Sequence, residues 1–304
     1  MNFIKTFLAA ILAFVVGSFL VFFLWIFILL GIAGSMEKTV AVHAESILKI
    51  DFSDVLTDAP SSDPFAGIDF ATLRSTRQLP LMKALRALEA AKDDSRIKGI
   101  YLRMNGNGGV MGAALLEELR EAVVDFKQSG KFLIAYADMY TQGGYYLASV
   151  ADKVIVNPVG SLSWHRLASE TMFLKDFLAK IGVKMQIFRV GTYKSAVEPM
   201  TNTEMSPANR EQTQAFLESI WKSIVDDVAA SRNISVDSLN LLADQNMDLR
   251  PAEDYVRCGL ADTLMYKDEV LSYLKSLAGL AEEDNLQTLS LDEMTRVKSV
   301  TPKS

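Results

Sequence analysis

Residue types that often carry chemistry are scarce in this chain. There is one cysteine, Cys258, so no internal disulfide and no paired-cysteine metal site can form. There are two histidines, His43 and His165. A histidine-based zinc site is therefore not expected, and any Ser-His-Asp triad has to draw on one of them. Positive charge is also in deficit: 31 Lys and Arg stand against 37 Asp and Glu, a net charge of -6. Nucleic-acid binding needs basic stripes that replace counterions, so it is not expected. No metal and no cofactor is expected either.

One stretch has no charge at all. From Thr6 through Met36 the chain is rich in Phe, Leu, Ile and Val. A spanning helix needs ~20 residues. Unpaired backbone groups are costly in lipid, so the run is expected to be helical. A cleaved signal peptide is the competing reading, since Lys5 precedes the run and small residues close it. The apolar core exceeds the ~7–15 residues of a signal h-region, which favours a retained anchor. Charge leaves its orientation open: Lys5 flanks one side, Glu37 and Lys38 the other. Residues 1–36 are therefore read as the anchor, 37–281 as an α/β domain and 282–304 as a polar linker or tail.

Within 37–281, strand and helix patterns alternate. "SILKIDFS" alternates apolar and polar residues like a strand. "LPLMKALRALEAAKDD" has Leu81, Leu85 and Leu88 at helical spacing. "IKGIYLRM", "KFLIAYAD" and "KVIVNPVGSL" read as strands, and "GAALLEELREAVVDFKQSG" as a helix stopped by Gly130. "GGYYLASVAD" reads as a short helix, "TMFLKDFLAKIG" as a helix and "VKMQIFRV" as a strand. A long helix follows, with Ser206 as N-cap and Pro207 at its first position. "PAEDYVRCGLAD" is expected to close the domain as a helix and turn. Alternation of this kind points to a mainly parallel sheet.

Three segments could carry chemistry. "NGNGG", Asn105 to Gly109, follows a strand and opens a helix. Such a turn can aim N–H groups at an anion or oxyanion, or be a tight turn and nothing more. It is neither a dinucleotide nor a phosphate-loop fingerprint. In "YTQGGYYLAS" a nucleophile is expected just before the glycines, but Gln142 stands there, and an amide is not a nucleophile. Close helix–strand packing is the alternative. In "GTYKSAVEPM", Lys194 is either a solvated loop lysine or a general base, a role that requires no histidine. His165 and Cys258 read as a hydrogen-bonded loop residue and a small apolar residue. Glu117, Glu118 and Glu121 read as a solvated helix face.

Together, "FRVGTYKSAVEPM", "MSPANRE", "YTQGGYYLASVADKVIVNP" and the apolar N-terminus resemble the N-terminal half of the long, two-copy form of signal peptide peptidase (protease IV). The resemblance runs from the anchor through about Asp262. It implies a crotonase/Clp-protease-like α/β fold behind one transmembrane helix. It also implies a bacterial inner (cytoplasmic) membrane location, with the domain on the periplasmic or extracytoplasmic side, and a tetrameric assembly of copies. By resemblance, the chemistry is a Ser–Lys dyad. Lys194 matches the lysine, which the N-terminal copy supplies. The serine comes from the C-terminal copy, in a Ser-Gly-Gly stretch equivalent to Gln142-Gly143-Gly144. Gly108 and Gly109 match the glycine turn and are the oxyanion candidates.

The resemblance thus implies a serine endopeptidase degrading signal peptides and other apolar peptides. This chain would supply the lysine, and a serine-bearing copy or partner chain the nucleophile. A non-catalytic scaffold of the same fold is the alternative. A crotonase-type acyl-CoA enzyme is a further one, which the anchor and the lysine motif both oppose.

Overall fold

The computed structural model describes residues 2–35, 40–51, 55–58, 68–69, 74–75, 78–104 and 112–297. Two compact units divide the chain: residues 1–41 with 296–304, and Val42–Thr295. In the first, α1 (Asn2–Ser35) contains an apolar stretch, Phe3–Phe27, with mean hydropathy 2.8. At about 1.5 Å per residue it is long and apolar enough to cross a membrane.

The second unit is built on six strands: β1 (Ser46–Asp51), β2 (Ile97–Arg103), β3 (Phe132–Tyr140), β4 (Lys153–Leu162), β5 (Thr263–Leu264) and β6 (Thr288–Ser290). Their order is β6-β1-β2-β3-β4-β5, and every pairing is parallel. A parallel sheet needs helical crossovers, and these cover its faces. On one face Ile47, Tyr101, Ile134, Tyr136 and Ile155 pack with Val270, Leu274 and Ala278 of α10 (Lys267–Ala278). Alternate residues, Leu48, Ile100, Leu102, Leu133 and Ala135, are buried as well. Both faces being dry explains why these strands read as near-continuous apolar runs.

The crossover helices are α2 (Leu81–Asp93), α3 (Ala113–Lys127) and α4 (Gln142–Ala148). Gly130, at φ 76°, turns the chain out of α3 toward β3. Between β4 and β5 runs a long excursion with α5 (Lys175–Lys180), α6 (Glu198–Thr201), α7 (Pro207–Arg232), α8 (Val236–Ala243) and α9 (Ala252–Arg257). A buried arginine ties this excursion to the crossovers. From α3, the Arg120 guanidinium donates to the Tyr146 carbonyl, to Ser149 Oγ at 2.8 Å, and to Asp227 O and Ser231 Oγ of α7 at 3.0 and 2.6 Å. It also lies 4.5 Å from the Tyr146 ring centre.

Three expectations are corrected. "VKMQIFRV" forms no strand: Val183–Val190 has no ladder partner among the described residues, and Phe188 and Val190 are 96% and 91% exposed. The segment lies in the excursion, off the sheet, whose edges are β5 and β6. The helix expected over "TMFLKDFLAKIG" is only the six residues of α5, none of them buried. The stretch expected as a polar tail is partly built in. There β6 pairs with β1, and α11 (Leu291–Met294) buries both its terminal residues. Leu289, Leu291 and Met294 are few apolar residues in polar company, but each is buried.

The β3–β4 ladder also has a fault that one glycine permits. Pairing passes from Ala137–Val156 to Met139–Ser161, so β4 carries extra residues around Asn157–Gly160. A Cβ on Gly160 would lie 2.2 Å from the Asp138 carbonyl oxygen. Gly160→Ala is therefore expected to destabilise the domain by about 2 kcal/mol, seen as a fall in Tm on the order of 5 °C. An unchanged thermal midpoint would mean the bulge tolerates a side chain.

Candidate active site

Two segments matter for chemistry, and each is placed by its own local bonding. The first is the turn from β3 into α4. Thr141 caps α4, its hydroxyl accepting from the Gly144 N–H at 3.2 Å. Gln142 is the first helical residue, at the C-terminal end of a central strand. Its amide oxygen accepts the His165 backbone N–H at 3.0 Å, so it holds the start of the excursion. Behind it, Tyr145 meets Tyr140 and Trp164 edge-on at 6.2 and 5.7 Å between ring centres. The Tyr145 hydroxyl donates to Leu260 O at 2.9 Å, and Trp164 Nε1–H to Leu239 O at 2.9 Å. Burial pushes the Tyr140 and Tyr145 phenols well above their ordinary range, so both stay neutral. The tyrosines after the glycines are packing residues, and the close helix–strand contact considered for this segment is present.

The second segment is the lysine loop. Gly191 takes φ 108°, which side-chain-bearing residues rarely adopt, and there the chain turns. Lys194 follows, exposed, beside an open hollow of about 430 Å³. Phe188, Val190, Tyr193, Ala196 and Val197 line that hollow together with the polar Arg189, Ser195 and Gln212. Among the described residues, Lys194 Nζ has no hydrogen bond or ion pair.

The loop ends in Glu198, which is 1% exposed. Its carboxylate accepts from Ser206 Oγ at 2.6 Å, from the Ser206 N–H at 3.1 Å and from Asn209 Nδ2 at 3.0 Å. Ser206 is also the N-cap of α7, accepting from the Asn209 N–H at 3.2 Å. One hydroxyl therefore caps the long helix and binds the carboxylate below the lysine. The Ser206 hydroxyl, with the donors beside it, holds the Glu198 carboxyl below the usual carboxylate range.

The other candidates fall as follows. Gly108 and Gly109 lie outside the described residues. His165 is exposed, with Nδ1 3.1 Å from the Arg166 carbonyl oxygen. Glu117, Glu118 and Glu121 are exposed on α3. Burial pushes the half-buried Cys258 thiol up, away from thiolate.

Residues 125–281 match the model of peptidase family S49, a span that contains both Gln142 and Lys194. The chain belongs to peptidase family S49. Among its relatives, Protease 4 of Haemophilus influenzae is 35% identical over 224 residues, 73% of this chain and 36% of that protein. Protease 4 of Salmonella typhi is 34% identical over 215 residues, 69% of this chain and 34% of that protein. The chain thus spans about a third of the length of these curated relatives. A solved structure, a mutant of the 1510-N membrane-bound stomatin-specific protease, is similar at TM-score 0.41 and 12% identity, over 83% of this chain and 98% of that one. That likeness is too distant to bear on function.

Reading the residues singly missed Glu198 and its neighbour Arg189. A signal was present: a lone glutamate four residues after Lys194, followed by Pro199 and, eight residues on, by a serine N-cap. Because Glu198 is held below its ordinary value, its stabilising effect is complete above the ordinary glutamate range. It fades as pH falls through the lowered value. The stability difference between wild type and Glu198→Gln, from thermal melts, is therefore expected to be full above the ordinary glutamate range and to shrink as pH falls through the lowered value. A difference independent of pH would contradict the bonded carboxylate.

Proposed function

We propose that this chain is the lysine-bearing part of a membrane-anchored serine endopeptidase that degrades cleaved signal peptides and other apolar segments. Lys194 is the general base. It takes the proton from a serine hydroxyl, which then attacks the peptide carbonyl to form an acyl-enzyme. That serine comes from a second copy of the domain, in the same polypeptide or another. Gly108 and Gly109 are the candidate oxyanion donors. α1 anchors the domain to the bacterial inner membrane, with the domain on the extracytoplasmic side, and copies assemble into a tetramer.

The observation that carries this reading is the state of Lys194. Its Nζ has no acidic partner among the described residues, and the side chain lines an open hollow in a chain of S49 membership. A lysine in a structural ion pair would not be available to a serine. The exposed apolar residues of the same excursion support pairing with another copy. Met172, Phe188 and Val190 are 76%, 96% and 91% exposed, and apolar surface of this kind marks interaction sites.

A non-catalytic scaffold is the second reading, favoured by Gln142. The position equivalent to the nucleophile holds an amide that is already hydrogen-bonded to the His165 backbone.

The test is hydrolysis of a fluorogenic apolar peptide by the full chain in detergent, alone and with a serine-bearing second copy added. Activity is expected only in the mixture, and Lys194→Ala is expected to lower it about 10³-fold. Activity that survives Lys194→Ala removes the base assignment. No activity from two copies that demonstrably associate leaves the scaffold.

A further inference from the structure

Lys194 stands on a thinly bonded loop. Its own N–H reaches the Gly191 carbonyl at 3.4 Å, a long contact. The neighbouring Tyr193 hydroxyl reaches Glu211 at 3.3 Å on the exposed surface. Loops with so few buried contacts open readily, and an opening loop cannot hold a base in place. A further contact comes from a charged side chain. Arg189 Nη1 donates to the Lys194 carbonyl oxygen at 3.3 Å and lies 3.7 Å from Glu198 Oε1.

The two ends of this bridge differ in rigidity. The Glu198 side chain is 1% exposed and receives three hydrogen bonds from the start of a 26-residue helix. It has little room to relax. The Arg189 side chain is 45% exposed and lies on the thinly bonded segment. A surface ion pair between two mobile side chains contributes little. Here one partner is fixed, and Nη1, which carries two hydrogens, lies near both the carboxylate and the carbonyl.

We infer that Arg189, oriented by the buried Glu198 carboxylate, is a positioning residue for Lys194: it clamps the Lys194 carbonyl and so fixes where the lysine side chain begins. Its catalytic meaning rests on Lys194 being the general base. Arg189 transfers no proton. Displacing a reacting group by about 1 Å can cost about 10²-fold in rate, so a clamp on the backbone can act on turnover.

The test uses the full chain in detergent and reads backbone amide exchange over residues 192–196 by mass spectrometry. Arg189→Met and Glu198→Gln are each expected to speed exchange there about tenfold, the loss of one modest hydrogen bond. The double variant is expected to be no faster than either single, because both break the same bridge. In Arg189→Met, exchange in α7 and β3 is expected to stay as in the wild type. Unchanged exchange over 192–196 in Arg189→Met overturns the clamp, as do additive effects in the double variant. If Glu198→Gln also frees α7, Arg189→Met alone decides.

With a serine-bearing copy present, Glu198→Gln is expected to lower kcat at least tenfold while KM stays within about twofold. A rise in KM alone overturns the positioning role. Activity retained by Lys194→Ala refutes the base assignment and leaves the exchange result to judge the clamp by itself.

Discussion

Six parallel strands can satisfy their backbone groups only by pairing with one another, and both faces of the resulting sheet must be kept dry. Most of the second unit follows from that constraint. Crossovers have to be helical and long enough to return the chain to the same end. Residues such as Ile47 and Leu48 are buried on opposite faces of the same strand. The edges still need neighbours, which is why a segment as short as Thr288–Ser290 is drawn in beside β1. The constraint also collects the C-terminal ends of the strands at one rim, where β3 turns into α4 and Gln142 sits.

The lysine loop obeys a different logic. It lies off the sheet, where hydrophobic burial does not decide position. Polar groups do that work: a carboxylate at the foot of the loop, a serine that serves both it and the helix cap, and an arginine reaching back to a carbonyl. A buried carboxylate is tolerable only when its lone pairs are met, and here Ser206 and Asn209 meet them. Among the described residues, the lysine side chain itself is left unengaged.

The four central strands, β1 to β4, and the long helix were legible in the sequence. Their signals are local: continuous apolar runs, Ser206 before Pro207, Gly130 after α3. The Lys194 motif was legible too, as a pattern resembling a family. "VKMQIFRV" misled because strand propensity describes how a segment fits beside a neighbour, and in the described residues this one has none. The tail misled in the opposite way. Its average polarity hid the few residues that contact the core, and composition cannot say which three positions in a polar stretch meet a sheet edge.

What the sequence by itself determined is the kind of each element and the stock of chemical groups: one lysine motif, an amide at Gln142, one cysteine, two histidines. Periodicity, caps and residue counts are properties of neighbours along the chain, so they need no fold to be read. Only the tertiary structure decided that Arg189, Ser206 and Asn209 converge on Glu198, and that Gln142 is tied to His165. Those contacts join different elements across the loop and helix ends. Their geometry depends on how the excursion folds back on itself, which no local pattern specifies.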